Sequence, residues 1–284
     1  MVNIRDLNKR IISVKKTQKI TSALKLVAAA KFKKNQQTIS SIRSYSERLN
    51  FFIATILQRN IDLNHVFFDV KEGKSLYVIV TTDRGLCGGF NQNVYKFINN
   101  LIEPGQDILV VGGKGISHYK RANFSVINNY RDLSEKINEN SLQKLVDEII
   151  NLYLAEKYQK IFLVYNEFKS AVSQNIKIDE ILPIRSSDFQ IEVGANQADY
   201  DYEPSSERII ASMSKKYLYT RVYRALLESG TAEQGARMVA MDSATENAKD
   251  LIYDLTLSYN RVRQAAITTE IAEIVAGAEG LRTG

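Results

Sequence analysis

Cysteine, histidine and long apolar runs are scarce in this sequence. Of its 284 residues, one is a cysteine, Cys87, and two are histidines, His65 and His118. A single cysteine excludes an intrachain disulfide and fits a reducing compartment. Three such side chains in all argue against a zinc site. No stretch approaches the roughly 18 apolar residues that cross a bilayer as a helix, so the sequence predicts no membrane-spanning segment.

Helix breakers are also absent from the first part of the chain. The first glycine is Gly73 and the first proline is Pro104, so nothing interrupts a helix before them. In a heptad frame over 4–56, eleven of the sixteen a and d positions are apolar. An apolar stripe of this length with a 3.5-residue period is typical of a coiled-coil helix rather than of a helix in a globular core.

The last part of the chain has the same character. After the third and last proline, a heptad frame over 241–276 has nine apolar residues at its eleven a and d positions, Leu251 among them. Gly277 and Gly280 are the expected stop signals of this helix. Two long helices with matching apolar stripes bury them most simply by pairing with each other, so we expect an antiparallel coiled coil.

The middle of the chain has a different pattern. Runs rich in β-branched and aromatic residues predict strands, which lie at 76–81, 107–111 and 160–165, with further strands expected at 124–128 and 174–181. Helical patterns lie between them at 92–102 and 142–157. Alternation of strand, helix and strand is typical of a parallel-sheet α/β unit.

The predicted fold class is therefore α/β, a Rossmann-like α/β domain joined to a long antiparallel coiled coil of the N- and C-terminal helices. The expected domains are an N-terminal coiled-coil helix over 1–58, an α/β globular foot domain over 70–200, and a C-terminal coiled-coil helix over 205–284 that pairs with the first. Together they predict a rod with a globular foot.

One glycine-rich loop, TTDRGLCGGFN over 81–91, follows the first predicted strand. Such a turn can present backbone amides to a phosphate, but this loop matches neither G-x-G-x-x-G nor G-x-x-x-x-G-K-[ST]. A tight turn with positive φ angles is the favoured interpretation. Cys87 has no base beside it in the sequence and is expected to pack rather than to act as a nucleophile. We expect no catalytic residue, no cofactor and no metal ion.

Positive charge is concentrated in the predicted N-terminal helix. Residues 1–34 hold ten lysines and arginines against a single acid, which favours a track for an acidic partner over an ordinary solvated exterior. Gln18, Thr21 and Lys25 put three successive polar residues on the apolar stripe, and the segment 261–264 interrupts the stripe of the other helix. Polar residues in such a seam indicate contact with something besides the partner helix.

Four motifs along the chain resemble those of one known family. The gamma subunits of bacterial and mitochondrial F-type ATP synthases carry, in the same order, sequences similar to TQKITSALKLVAAAKFKK over 17–34, DRGLCGGFN over 83–91, EQGARMVAMDSATENA over 233–248 and YNRVRQAAITTEIAEIVAGAEGL over 259–281. The similarity extends over essentially the whole chain. Gly280 departs from the small or basic residue that is usual at its position.

The resemblance implies a central-stalk rotor subunit that performs no bond chemistry itself. The paired helices would form a shaft inside the ring of alpha and beta subunits. The α/β foot, with the epsilon subunit, would sit on the membrane c-ring, whose rotation drives the catalytic sites through their binding changes. We expect one copy per complex, peripheral to the cytoplasmic face of a bacterial inner membrane. The matrix side of the mitochondrial inner membrane is the alternative, less favoured because no separate targeting segment precedes the helix.

The resemblance also assigns contact residues. Arg263 and Gln264 match positions that hydrogen-bond a loop of the catalytic subunit. Leu24 matches a position, usually methionine, close to an acidic segment of that subunit, and Lys25 beside it suits such a surface. Tyr202 and Glu203 match positions of the foot that meet the c-ring loops. Chloroplast members carry an additional thiol pair for redox control, which this chain lacks.

The residues by themselves leave three other classes of protein open. A nucleic-acid-binding protein with a basic coiled-coil arm would bind with a steep salt dependence, although no aromatic residues are interleaved with the bases for stacking. A nucleotide-dependent oxidoreductase would need a dinucleotide fingerprint, which is absent. A membrane-surface protein would bind anionic vesicles through its basic helix alone. The family resemblance disfavours all three, and we expect no nucleic-acid partner.

Overall fold

Five helices and five strands make up the described part of the chain. The computed structural model describes residues 3–59, 65–70, 72–170, 173–185, 189 and 206–282. The elements in chain order are α1 (Ile4–Arg59), β1 (Ser75–Val80), α2 (Phe90–Leu101), β2 (Asp107–Val111), α3 (Gly113–Tyr119), β3 (Ser125–Tyr130), α4 (Glu139–Leu154), β4 (Lys160–Phe168), β5 (Gln174–Leu182) and α5 (Ser206–Arg282).

The strands form one sheet in the order β3-β2-β1-β4-β5. β1 pairs in parallel with β2 and with β4, β2 pairs in parallel with β3, and β5 pairs antiparallel with β4 at the edge. The parallel strands are joined by α2, α3 and α4, because a parallel pair needs a crossover connection. Central strands covered on both faces have continuous apolar sequences, as the β1 sequence SLYVIV and the β2 sequence DILVV do. The predicted α/β fold class with a Rossmann-like sheet is confirmed.

Every predicted strand is present, with ends shifted by at most three residues. The structure adds α3, which the sequence analysis did not predict. Its seven residues, GKGISHY, contain two glycines and are too short to show a helical period, so the periodic pattern carried no signal for it.

Apolar side chains pack against both faces of the sheet. On one face, Leu76, Val78 and Leu163 join side chains of α1, α4 and α5. On the other face, Ile79 and Val110 join side chains of α2 and α3. Burying one side chain of this size contributes about 1.5–3 kcal/mol, so hydrophobic burial holds the end of α1 and the start of α5 against the sheet.

The chain divides into two compact units, one of residues 28–237 and one of residues 1–27 with 238–284. In the second unit α1 and α5 run antiparallel. Thr21 lies opposite Thr245, and Ile11, earlier on α1, packs with Leu255, later on α5. The predicted antiparallel pairing of the terminal helices is thereby confirmed. The domain division at 1–58, 70–200 and 205–284 stays a prediction.

The heptad frame is right for α1 and partly wrong for α5. All sixteen a and d positions of the frame over 4–56 are buried or half-buried. On α5, however, Leu251 is 47% exposed, and Ile252 takes the half-buried position. Likewise Tyr259 is half-buried while Ser258 is exposed. Leu251 and Ile252 are equally apolar, so the sequence pattern could not decide which of them faces α1.

The expected end of the last helix is also wrong. α5 continues through Gly277 and Gly280 to Arg282. A glycine inside a helix costs about 1 kcal/mol relative to alanine but does not require the helix to end.

Candidate functional site

Leu24 and Lys25 lie on the paired part of α1. Leu24 is half-buried. The Lys25 ammonium lies 2.5 Å from the carboxylate of Asp242 on α5, and the two side chains are 39% and 51% exposed. An ion pair this exposed contributes only about 0.2–1 kcal/mol. Lys25 can therefore exchange Asp242 for another carboxylate at little cost in stability.

Two polar residues on the apolar stripe of α1, Thr21 and Lys25, have partners on α5. The hydroxyl oxygens of Thr21 and Thr245 are 2.7 Å apart, and Thr21 is 8% exposed. A polar pair in a coiled-coil seam fixes the register of the two helices. The structure thus supplies an internal reason for the polar break, and an outside contact at Gln18, which is half-buried, stays a prediction.

Arg263 and Gln264 lie where α5 becomes exposed. Both side chains are exposed, and neither forms a hydrogen bond or an ion pair with another residue of the described chain. Beyond them α5 presents an apolar stripe of exposed side chains on one helix face, 47% to 71% exposed: Ile267, Ile271, Ile274 and Val275. Within the described residues nothing covers this stripe.

The predicted contacts are not brought together in one place. Since Thr21 faces Thr245 in an antiparallel pair, the level of Leu24 and that of Arg263 are separated by roughly 30 Å along the helices, at 1.5 Å per residue. The two predicted foot contacts, Tyr202 and Glu203, lie outside the described residues.

The glycine-rich loop is closed by a carboxylate of its own. Asp83 accepts hydrogen bonds from the backbone amides of Gly113 at 2.8 Å, Asp132 at 2.9 Å and Glu135 at 3.1 Å, and from the Ser134 hydroxyl at 2.9 Å. These donors follow the carboxyl ends of β2 and β3, where a doubly wound sheet offers amides to a ligand. Because a carboxylate already occupies them, the arrangement favours the structural interpretation of the loop over a phosphate site.

Backbone geometry explains the glycines beside Asp83. Gly112 has a φ of 101°, and a Cβ added there would lie 2.3 Å from the carbonyl oxygen of Thr81. In the first loop, Leu86 and Gly88 have φ angles of 64° and 59°. Positive φ angles and a close backbone approach are what the tight-turn interpretation expects, and glycine accommodates both.

Arg237 of α5 binds the same loop. Its guanidinium donates hydrogen bonds to the carbonyl oxygens of Gly85, at 3.1 Å, and Arg84, at 3.3 Å, and to the carboxylate of Glu233 at 2.6 Å. The side chains of Arg237 and Glu233 are 12% and 5% exposed. Charge-assisted hydrogen bonds are stronger away from water. Arg237 of the segment 233–248 is therefore hydrogen-bonded directly to the loop 83–91.

Burial changes the acidity of Glu233. Loss of water raises the pKa of its carboxyl to about 7, although Arg237 opposes the rise, and the charges of Asp83 and Glu135 add to it. A carboxyl with this pKa gains or loses its proton near neutral pH. The stability of the contact between α5 and the loop 83–91 therefore depends on pH in this range.

Cys87 lies in the same loop and is a packing residue in the structure. It is 3% exposed and packs with Phe90 and Ala232. Burial, and then the charge of Glu233, raise the pKa of its thiol. The thiolate is the nucleophilic form of cysteine, so the thiol is held in its unreactive form at neutral pH.

The roles of Asp83, Glu233 and Arg237 were not predicted from the sequence. A signal was available, since all three lie in motifs that carry the family resemblance. Those two motifs are about 150 residues apart in the sequence, and no local pattern shows that they bind each other.

The described residues show neither a metal-binding cluster nor a membrane-spanning helix. No group of three or more His, Cys, Asp or Glu side chains among them is placed to hold a metal ion. None of the described helices is both long and apolar enough to span a membrane.

The chain is similar to ATP synthase subunits over its whole length. A family model described as ATP synthase matches residues 3–281. The ATP synthase gamma chain of Heliobacterium modesticaldum is 40% identical over 289 residues, which cover 99% of this chain and 100% of that protein. The ATP synthase gamma chain of Prosthecochloris aestuarii is 39% identical over 293 residues, which cover 99% of each.

Solved structures share the fold. A chain of the Euglena gracilis mitochondrial ATP synthase, in an assembly of OSCP, F1 and c-ring, has a TM-score of 0.69 at 19% identity and covers 99% of this chain and 95% of its own. A chain of the Tetrahymena thermophila mitochondrial ATP synthase central stalk and c-ring has a TM-score of 0.61 at 26% identity. That match covers 79% of this chain and 99% of the other.

These similarities confirm the resemblance stated from the motifs, and with it the predicted function of a central-stalk rotor subunit in an F-type ATP synthase. The antiparallel terminal helices and the Rossmann-like sheet agree with that function in architecture. The chain belongs to the ATP synthase gamma-chain family.

Proposed function

We propose that the paired helices act as the shaft inside the ring of alpha and beta subunits, and that the exposed end of α5 is seated there. The observation that carries this proposal is the apolar stripe of Ile267, Ile271, Ile274 and Val275, which is exposed on one face of a helix. A contiguous exposed apolar surface marks a contact with another protein. Arg263 and Gln264 begin this segment and provide hydrogen-bond donors for a loop of the catalytic subunit.

Leu24 and Lys25 contact the acidic segment of the catalytic subunit at a lower level of the shaft. The exposed pair of Lys25 with Asp242 supports this role, because such a pair is screened by water and salt. A shaft that turns inside a ring must not bind one orientation tightly, since each tight contact is a free-energy well that the next step has to leave. Weak, exchangeable charge contacts suit this requirement.

The foot passes rotation between the c-ring and the shaft. Tyr202 and Glu203 contact the c-ring loops, and the epsilon subunit binds beside them, in one complex with one copy of this chain. The subunit is peripheral, on the cytoplasmic face of a bacterial inner membrane, with the matrix side of the mitochondrial inner membrane as the alternative. The bacterial relatives at 39–40% identity support the first location.

The subunit has no catalytic site of its own in this proposal. One support is Asp83, whose carboxylate already accepts hydrogen bonds from the backbone amides that a phosphate would need. The other is Cys87, whose thiol is buried and has a raised pKa. ATP synthesis and hydrolysis then belong to the alpha and beta subunits, and this chain supplies the motion.

Reconstitution tests the proposal. The purified chain should hydrolyse no ATP, and mixing it with alpha and beta subunits should give a complex that co-purifies and hydrolyses ATP. Arg263→Ala should lower the turnover of that complex by about three- to tenfold, the effect of losing about 1 kcal/mol from one solvent-exposed hydrogen bond. Arg261→Ala is the matched control, because it removes an exposed arginine from the opposite side of the helix. Failure to co-purify would contradict the proposed shaft.

A further inference from the structure

A large cavity lies in the unit of residues 28–237, away from every residue that the proposed contacts use. Its volume is about 710 Å³. Three segments enclose it: α1 between Lys31 and Thr38, the connection 132–137 that follows β3, and α5 between Tyr223 and Gln234. Cavities of about 300–1,000 Å³ are the size that holds small-molecule ligands.

The floor of the cavity is apolar. The half-buried side chains of Ile137 and Tyr223 supply most of this apolar surface. Leu226 and Leu227 of α5 also line the cavity, with 1% and 6% of their surface exposed. Gly230 leaves room above this floor, because a Cβ added there would meet only the Asn35 amide nitrogen at 3.6 Å and the Ser134 carbonyl oxygen at 3.7 Å. Water forms no hydrogen bonds with these apolar side chains, whereas the apolar body of a ligand is stabilised there because its surface is removed from water.

Two side-chain amides face the cavity without a partner. Gln234 is 6% exposed and Asn35 is half-buried, and both line the cavity. No other residue of the described chain hydrogen-bonds either side-chain amide. Neither amide belongs to the fully buried side-chain groups that lack a partner, so both are accessible to water and can bond a molecule that displaces this water from the cavity.

The rim of the cavity is more basic than acidic. Lys31, Lys34 and Lys136 line it, against the acids Asp132 and Glu135. The Glu135 carboxylate is already paired with Lys31 at 3.1 Å and with Arg84 at 2.7 Å. Among the described residues, no carboxylate lies within ion-pair distance of Lys34 or Lys136. Two lysines on the rim are therefore free to receive a negative group.

We propose that this cavity binds a small amphipathic anion, a molecule with one carboxylate, sulfonate or phosphate group and an apolar body about the size of two fused rings. Its acidic group pairs with Lys34 and Lys136 at the rim. Its body lies against Ile137 and the Tyr223 ring, and the amides of Asn35 and Gln234 bond its polar edge. The site binds without a chemical step, and nothing in it depends on the assembly of the ATP synthase.

Two fluorescent probes with the same ring system test the proposal on the purified full-length chain. The first, 8-anilinonaphthalene-1-sulfonate, carries the negative charge, and the second, N-phenyl-1-naphthylamine, lacks it. We expect the sulfonate to bind at one saturable site, and about tenfold more tightly than the neutral amine, the effect of a charge-assisted hydrogen bond. Equal affinity of the two probes would overturn the proposal, because apolar surface alone, such as the stripe at the end of α5, would then explain the binding.

Variants locate the site. Lys34→Glu combined with Lys136→Glu should weaken sulfonate binding about tenfold or more. Lys33→Glu, which changes the charge of an exposed neighbour that does not line the cavity, should leave it within about twofold. Gly230→Leu should abolish binding, because the leucine side chain fills the cavity. If circular dichroism shows that Gly230→Leu does not fold, Gln234→Leu replaces it and should weaken sulfonate binding. Equal losses from Lys33→Glu and from the double variant, or binding unchanged by every variant of the cavity, would overturn the proposal.

Discussion

The guanidinium of Arg237 lies 3.1 Å from the carbonyl oxygen of Gly85, although the two residues are 152 positions apart in the chain. Arg237 also bonds Glu233 one turn earlier on α5, so a single side chain links the helix to the glycine-rich loop. Because both partners of the ion pair are buried, the link depends on the full set of hydrogen bonds rather than on charge attraction through water.

Arg237→Ala should therefore destabilise the folded chain. The change leaves the Glu233 carboxylate buried without its partner, and breaking a buried pair in this way costs about 3–5 kcal/mol. The free energy of unfolding, from urea titrations at pH 8, measures the loss. The matched control is Arg263→Ala, on an exposed part of the same helix, which should change the free energy by less than about 0.5 kcal/mol. Equal effects of the two variants would show that the link to the loop contributes nothing.

Labelling of Cys87 gives a second measurement of the same link. The thiol is the only one in the chain and is 3% exposed, so a thiol reagent reacts only when the loop opens. Arg237→Ala should raise the labelling rate at fixed pH by about tenfold or more, in proportion to the larger open population. An unchanged rate would mean that packing against Phe90 and Ala232 holds the loop closed by itself.

How far the sequence predicts this fold depends on whether a feature is periodic. The stripe of α1 can be recognised in the sequence because eleven of its sixteen a and d positions are apolar, and all sixteen are buried or half-buried in the structure. Strands β1, β2 and β4 are visible as short β-rich runs. The choice between Leu251 and Ile252 and the existence of α3 depend on packing against distant segments, and a local pattern carries no information about that.

The candidate site divides in the same way. Arg263 and Gln264 could be selected through the family resemblance, and their exposure agrees with a contact role. The hydrogen bonds to the Asp83 carboxylate could not be predicted from the sequence. Their donors lie in the segments after β2 and β3, which only the sheet topology brings together. The sequence also could not show that Lys25 and Thr21 have partners on α5, and their contact with another subunit stays a prediction.

The acidity of Glu233 should appear as a pH dependence of stability. Burial raises its pKa from 4.5 to about 7, so the folded chain binds this proton more tightly than the unfolded chain does. The resulting stability is fully present below about pH 4.5 and is lost as the pH rises through about 7. Between pH 5 and pH 8 the wild-type free energy of unfolding should fall, relative to that of Glu233→Gln, by about 2.5 kcal/mol.

Urea titrations of both chains across this pH range measure the difference. Subtracting the Glu233→Gln values removes the contributions of the other titrating groups, among them Asp107, His65 and His118, whose pKa values are lowered. Glu246→Gln is the control, since this exposed carboxylate on α5 pairs only with Lys249 at the surface and should leave the pH profile unchanged. A constant difference between wild type and Glu233→Gln would contradict the raised pKa.

Two glycines should respond in opposite directions to the same substitution. Gly112→Ala places a Cβ 2.3 Å from the Thr81 carbonyl oxygen at a φ of 101°, so the β2 end must move, and we expect a loss of about 3 kcal/mol or more. Gly277→Ala meets nothing within 4 Å and should raise helix stability by about 1 kcal/mol. Circular dichroism during thermal unfolding measures both changes. A Gly112→Ala chain as stable as wild type would refute the close approach of the two loops.

Leu24→Lys should separate the two activities of the assembled ATP synthase. Leu24 is half-buried beside Lys25, and in the proposed shaft a lysine there would place a second positive charge against an acidic segment of the catalytic subunit. The added ion pair stabilises one rotational orientation of the shaft relative to the others. This stabilisation is about 0.2–1 kcal/mol if the pair is exposed and more if it is buried. We expect ATP-driven proton pumping to fall far more than ATP hydrolysis in membrane vesicles. A hindered shaft can slip, so that ATP is still hydrolysed while fewer protons are pumped for each ATP.

The control variant is Leu101→Lys, at a 40% exposed leucine of α2. It adds the same charge away from the shaft and should leave both activities unchanged. Equal losses of pumping and hydrolysis in Leu24→Lys would place its effect on assembly or folding instead of on coupling.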